Sequence, residues 1–218
     1  MDALTGTATE ADLELVERLR AGDEQAFMDL VDALQPSMLR VARMYVSSHA
    51  VAEEVVQDAW LGVLKGIERF EGRSSLRTWI FRIVTNIAKT RGQREGRSVP
   101  FASLAGDDLE APAFDPSMFL ANDAQWPNQW SSIPSDWAGI PEDRLLGAET
   151  LRVVRTTLAS LPPMQAEVLR LRDVLGWSSQ EVRNALELSE TNQRVLLHRA
   201  RGKVRRALER EFGSEANA

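Results

Sequence analysis

Phe70 to Arg91 reads F-E-G-R-S-S-L-R-T-W-I-F-R-I-V-T-N-I-A-K-T-R, a short glycine loop running into a segment of helical period. At about 100° per residue, Leu76, Trp79, Ile80, Ile83, Val84 and Ile87 make one apolar arc. Thr78, Arg82, Thr85, Asn86 and Lys89 share the opposite strip, which contains no carboxylate. A solvated helix face usually mixes both charge signs. A strip of Arg, Lys, Asn and Thr beside Trp79 and the outlying Phe81 suits phosphates and unstacked bases. The plain alternative is an amphipathic helix with a basic outside, and the segment alone leaves both readings open.

Working outward, the same period runs through the first part of the chain. Ala11 to Ala21, Asp23 to Val46 and His49 or Ala50 to Arg69 read as helices, followed by Ser74 to about Arg94; strand alternation is absent. Gly22 with Asp23 ends one helix and caps the next, and the E-G-R-S-S loop separates the third from the fourth. From Ser98 to Pro141 six prolines, six acids and Trp126, Trp130 and Trp137 interrupt any sustained period. Such a stretch is longer than a compact domain tolerates as a plain loop, so it reads as a linker. Helical pattern resumes near Glu142. Leu151 to Leu161 and Pro163 to Val174 form a pair divided by Pro162-Pro163. Ser178 caps Ser179 to Leu186, and a short turn leads to a last helix from Glu190, which is helix-turn-helix spacing. On that last helix Gln193, Leu196, Leu197, Ala200, Val204, Ala207 and Leu208 share one arc. Arg194, His198, Arg201 and Arg205 lie on the other side, and no acid occurs from Thr191 to Leu208.

Charge follows the same divisions. The net charge of −6 argues against a nucleic-acid partner only until its distribution is examined. Residues 1 to 60 carry 4 basic and 12 acidic side chains, and 61 to 97 carry 9 and 3. Residues 98 to 145 carry 1 and 8, and 146 to 218 carry 12 and 9. Two basic blocks alternate with two acidic ones, so the whole-chain charge misleads about local partners. With 218 residues and no cysteine, the chain excludes disulfides, thiol catalysis and cysteine-ligated zinc, and two isolated histidines, His49 and His198, leave no metal constellation. No apolar run is long enough to span a membrane, and the N-terminus lacks the pattern of a signal peptide, so a cytoplasmic protein without membrane insertion is expected.

The order D-E-Q-A-F at Asp23, A-E-E-V-V-Q-D-A-W at Ala52, the Phe70 to Lys89 segment, L-P-P-M-Q-A-E-V-L-R-L-R at Leu161 and the final helix-turn-helix resembles bacterial RNA polymerase sigma factors of the extracytoplasmic-function type. The resemblance implies an all-α protein of two small helical domains, 10–97 and 146–212, joined by the irregular acidic linker 98–145. It implies no catalytic site, cofactor or metal. The implied partners are core RNA polymerase, through the coiled coil of its largest subunit and its flap, promoter DNA, and an anti-sigma factor. By the same resemblance, Glu53, Glu54, Gln57 and Asp58 dock the polymerase. Phe70, Gly72, Arg73, Ser74, Ser75, Arg82, Asn86 and Lys89 recognise and melt the minus-ten element. Ser189, Glu190, Asn192, Gln193, Arg194, His198, Arg199 and Arg201 read the minus-thirty-five element, with Gln193 on the buried arc. Two departures stand out: Glu187 occupies the turn position where the family commonly has glycine, and Thr191 to Leu196 reads T-N-Q-R-V-L, without one frequent basic residue. The alternative is a helix-turn-helix activator that binds DNA without acting as a polymerase subunit.

Overall fold

The computed structural model describes residues 7–96 and 148–212. The linker expected over 98–145, with its three tryptophans, lies outside the described residues. Among the described residues eight α-helices follow one another and there is no strand: α1 (Glu10–Arg20), α2 (Glu24–Arg43), α3 (His49–Gly66), α4 (Leu76–Arg94), α5 (Ala148–Ser160), α6 (Pro163–Leu169), α7 (Ser179–Leu186) and α8 (Glu190–Phe212).

Local chemistry sets the helix starts. Thr9 and Asp12 exchange side-chain and backbone bonds in a capping box, as do Ser178 and Glu181. Asp23, Ser48 and Ser75 cap α2, α3 and α4 with their side-chain oxygens. The C-terminal end of α3 tightens into a 3₁₀ turn over Ile67–Arg69, and Arg20 of α1 donates to the carbonyls of Ile67, Glu68 and Phe70. That one guanidinium satisfies carbonyls which a helix end leaves without intrahelical partners. Glycines bring α3 and α4 close: a methyl group at Gly66 would lie 3.0 Å from the Trp79 ring, and one at Gly62 3.3 Å from Ile83.

The expected Pro163 to Val174 helix changes character part-way. After Leu169 the chain widens into a π-helical turn over Arg170–Val174, and Leu175 N–H donates to Arg170 O at 2.9 Å. Periodicity does not distinguish an α-turn from a π-turn, because the apolar positions inside remain nearly the same.

The two helical blocks do not each keep a separate core. Met38, Val41, Phe81 and Val84 from the first block and Met164, Val168, Leu171, Trp177, Val182 and Leu186 from the second belong to one buried cluster. A smaller cluster of Leu161, Ala166, Leu169 and Ala200 holds α6 on α8. The junction is α7 lying on α4, and its cause is Phe81. This side chain points away from the arc that faces α2 and α3, is fully buried, and meets Trp177 edge-on with ring centroids 4.9 Å apart. Phe81 therefore serves as interdomain packing and not as an exposed platform for bases.

Candidate nucleic-acid interface

Three surfaces carry the side chains picked out by the sequence. On α3, Val55, Val56, Ala59 and Trp60 face the core, which turns Glu53, Glu54, Gln57 and Asp58 to solvent. Glu54 accepts from Arg91 of α4 at 2.5 Å, and Glu53 lies 3.5 Å from His49. One and two turns beyond Gln57, Leu61 and Leu64 remain 52% and 48% exposed. Residues at i, i+4 and i+7 share a helix face, so an apolar patch prolongs the acidic one. Sequence reasoning omitted both leucines; their placement outside the α3 core arc was the available signal.

The second surface is the loop and outer side of α4. Phe70 is buried and packs edge-on against Trp79 at 5.3 Å, so it supports the loop from beneath. Gly72 has φ +70°, a left-handed conformation that glycine adopts without strain. Arg73 is exposed and pairs with Glu71 at 3.0 Å, while Ser74 donates to the Ser75 carbonyl. Arg82 and Asn86, one turn apart, face solvent. Ser75 does not: its hydroxyl is buried and donates to Glu181 of α7 at 2.7 Å. Thr85 is also buried and donates to the Ala185 carbonyl at 2.9 Å. Lys89 forms an ion pair with Glu187 and lies 5.8 Å from the Tyr45 ring centre. The strip without acids thus receives one carboxylate from the second block, Glu187 on Lys89, while Glu181 reaches Ser75 and Arg77 beside it.

Glu181 is the hub of that contact. It accepts from Arg77 Nε and Nη2 at 2.9 and 2.8 Å, from Ser75, and from its own cap's N–H at Ser178. Burial alone would push its carboxyl up. The hydrogen bonds from Arg77, Ser75 and Ser178 outweigh that and hold it at about 2. Arg77 also stacks over Trp177, 4.8 Å from the ring centre.

The third surface is α8. Ser189 Oγ accepts from Asn192 N–H at 3.1 Å at its start, and exposed Glu190 accepts from Arg183. Gln193 is only 3% exposed and accepts from Ser179 Oγ at 2.6 Å, which locks α7 to α8. Arg199 is only 8% exposed and turns inward, away from the strip holding Arg194. His198 is half-buried. Burial first, then Arg199 and Arg201, lowers its pKa and favours the neutral ring. Arg201 is exposed, with two bonds to Asp173 at 2.8 and 2.7 Å that raise its pKa. The side facing out is therefore Thr191, Arg194, His198 and Arg201, at successive intervals of three, four and three residues. Thr191 was not among the sequence candidates, and its spacing from Arg194 could have found it.

Comparison with known proteins places the chain in a family. Residues 30–98 match the model for sigma-70 region 2, and residues 151–204 match that for sigma-70 region 4. The Escherichia coli K12 ECF RNA polymerase sigma-E factor is 30% identical over 190 residues, covering 87% of this chain and 90% of that protein. The chain belongs to the extracytoplasmic-function group of the sigma-70 family. It is an alternative sigma factor for transcription initiation. The RNA polymerase sigma-H factor of Pseudomonas aeruginosa PAO1 is 28% identical over 200 residues, 92% of this chain and 95% of that relative. Among solved structures, the sigma factor is similar to CnrH, determined in complex with the cytosolic domain of CnrY, at 21% identity and TM-score 0.47 over 92% of this chain and 98% of that one. Region 2 of the sigma factor takes in most of α2 with α3 and α4, and region 4 takes in most of α5 to α8. No helix among its described residues is long and apolar enough to cross a membrane.

Proposed function

We propose that this sigma factor divides its work among the three surfaces. Glu53, Glu54, Gln57 and Asp58, extended by Leu61 and Leu64, dock the coiled coil of the polymerase's largest subunit. The acids steer a basic partner and the leucines provide the desolvated part of the contact. Arg82 and Asn86, with the loop Phe70 to Ser75 and Lys89, hold the melted minus-ten strand. An amide reads the edge of an unstacked base while a guanidinium meets the adjacent phosphate. Thr191, Arg194, His198 and Arg201 enter the major groove of the minus-thirty-five element, where arginine suits guanine edges or phosphates. Gln193 and Arg199 act from beneath that strip by fixing the pose of α8. Phosphodiester synthesis belongs to the polymerase, the setting is the cytoplasm, and an anti-sigma factor is the regulator that family membership implies.

The observation that carries this reading is the joint exposure of Arg82 and Asn86 on a strip without acids of its own, in a chain whose α3 and α8 present complementary outer faces. Run-off transcription with purified core polymerase on a pool of promoter fragments tests it. Initiation above core polymerase alone is expected. Arg82→Ala and Asn86→Ala should impair strand opening more than closed-complex binding, whereas Arg194→Ala should weaken binding to the upstream element. An identical defect in all three would overturn the division of labour.

A further inference from the structure

Resting on the reading that the Phe70 to Ser75 loop holds the melted strand, we propose that α1 completes this base-capturing site. Leu13 supplies an apolar wall for the unstacked base, and Arg20 and Ala8 are positioning residues for the loop. α1 lies ahead of the residues that match sigma-70 region 2, and Val16 is its one buried residue. Its contacts with the loop are nonetheless specific. Arg20 Nε and Nη2 donate to the Ile67 carbonyl at 3.2 and 3.1 Å, and Nη2 reaches the carbonyls of Glu68 at 3.2 Å and Phe70 at 2.9 Å. One guanidinium therefore fixes the direction in which the chain leaves α3, and Glu17 holds that guanidinium in turn at 2.7 Å. Just ahead of α1, the Ala8 N–H donates to the Gly72 carbonyl at 3.0 Å. With Ser75 capping α4, the loop is fixed at its start, its middle and its end.

This anchoring leaves Leu13 facing outward beside the loop. Leu15 and Leu19 pack against the core with Val16, whereas Leu13 stays 47% exposed. Its side chain lies against Gly72: a methyl group added to that glycine would come 3.3 Å from Leu13 Cδ2 and 3.4 Å from the Ala8 methyl. Glycine at 72 thus serves both the φ of +70° and the close approach of α1. Phe70 is buried against Trp79, so the loop presents no aromatic ring of its own, and Leu13 on bare backbone is the apolar surface placed against it. Charge decides which part of a nucleotide that surface can take. Glu10, Glu14 and Glu17 are exposed on α1 and repel a phosphate, while the exposed Arg73 and Arg82 belong to the loop and α4. The sugar–phosphate chain therefore follows the loop and α4, and Leu13 receives the uncharged face of a base, whose burial there is favourable.

The test uses holoenzyme assembled from core polymerase and the full-length chain. Its probe is the fragment that initiates best in the run-off pool, prepared with the non-template strand of its minus-ten element unpaired. Each base of that strand is replaced in turn by an abasic site, and affinity is read by fluorescence anisotropy. The native chain should lose affinity at the position whose base it captures. Leu13→Ala should weaken binding to the intact probe about fivefold, yet change binding to the probe abasic at that position by less than about twofold, because the base that Leu13 covers is already gone. Leu13→Met keeps the apolar area and should stay within about twofold of the native chain on both probes. Arg20→Lys keeps the charge but loses the planar reach across three carbonyls; it should narrow the gap between intact and abasic probes and leave abasic affinity unchanged. Equal losses by Leu13→Ala on both probes would overturn the proposal, since a purely structural defect acts on both alike. So would native behaviour of Leu13→Ala where Asn86→Ala loses the preference for the intact base, a result that leaves the strand-capture reading standing. A native chain indifferent to every abasic site would defeat that reading and the proposal with it.

Discussion

Replacing Glu187 by glycine should stabilise the chain relative to replacing it by alanine, although glycine removes more atoms. Glu187 ends α7 at φ 54°, ψ 49°, and is the one non-glycine left-handed residue among those described. A Cβ in that conformation costs about 1–2 kcal/mol. Glycine removes the cost but adds roughly 0.5–1 kcal/mol of freedom to the unfolded chain. The balance favours Glu187→Gly over Glu187→Ala by about 0.5–1 kcal/mol. Both substitutions delete the same ion pair with Lys89, whose members are 34% and 38% exposed, so its small contribution, about 0–1 kcal/mol, cancels in the comparison. For a chain of this size the difference corresponds to roughly 1–4 °C in Tm. Thermal and urea unfolding at pH 7 of the native chain and both variants would measure it, with Lys89→Ala added to close a double-mutant cycle. Glu187→Gly melting at or below Glu187→Ala would refute the argument. It would mean that the turn relaxes out of the left-handed region when the carboxylate is lost, and that Lys89 holds the turn in place.

Three further outcomes are expected. Glu181 has its carboxyl held at about 2 against an ordinary 4.5, so its stabilisation is complete above about pH 4.5 and is lost as pH falls through about 2; Glu181→Gln should cost about 1–2 kcal/mol at pH 7, and the gap should close near pH 2 in urea unfolding followed by circular dichroism. Phe81→Ala should cost about 3–5 kcal/mol, and because Phe81 meets Trp177 across the junction, hydrogen exchange should accelerate in α2 and α6 together and not in one block alone. Asp173→Asn should free Arg201 from its paired carboxylate and increase the salt dependence of duplex binding, whereas Arg194→Ala should decrease it by about one phosphate contact, both measured by fluorescence anisotropy across a salt series.

Most of the helical layout was legible because most helices carry a start signal and a one-sided apolar arc. Thr9, Asp23, Ser48, Ser75 and Ser178 all cap as their residue types dictate. The candidate surfaces were half legible. The acidic outer face of α3 and the Arg82 and Asn86 pair follow from periodicity. The inward turn of Arg199 does not, since a basic residue near the edge of an arc can face either way until its neighbouring helices are placed. Leu61 and Leu64 were legible, since periodicity sets them outside the α3 core arc, and the packing of α3 leaves them exposed.

By itself, then, the order of residues determined the helices, their caps, the acidic and basic blocks and a turn that carries Glu187 where glycine would be easier. Those properties depend on neighbours within a few positions along the chain. Tertiary structure alone decided that Phe81 is core, that Thr85 is buried, that Glu181 takes Ser75 and that Glu187 brings a carboxylate to Lys89 on the acid-free strip of α4. Residues about a hundred positions apart in sequence make those contacts. No local period encodes which of two uncharged or basic faces a distant helix will cover; that is set by which pairing buries the most apolar surface while leaving each polar group a partner.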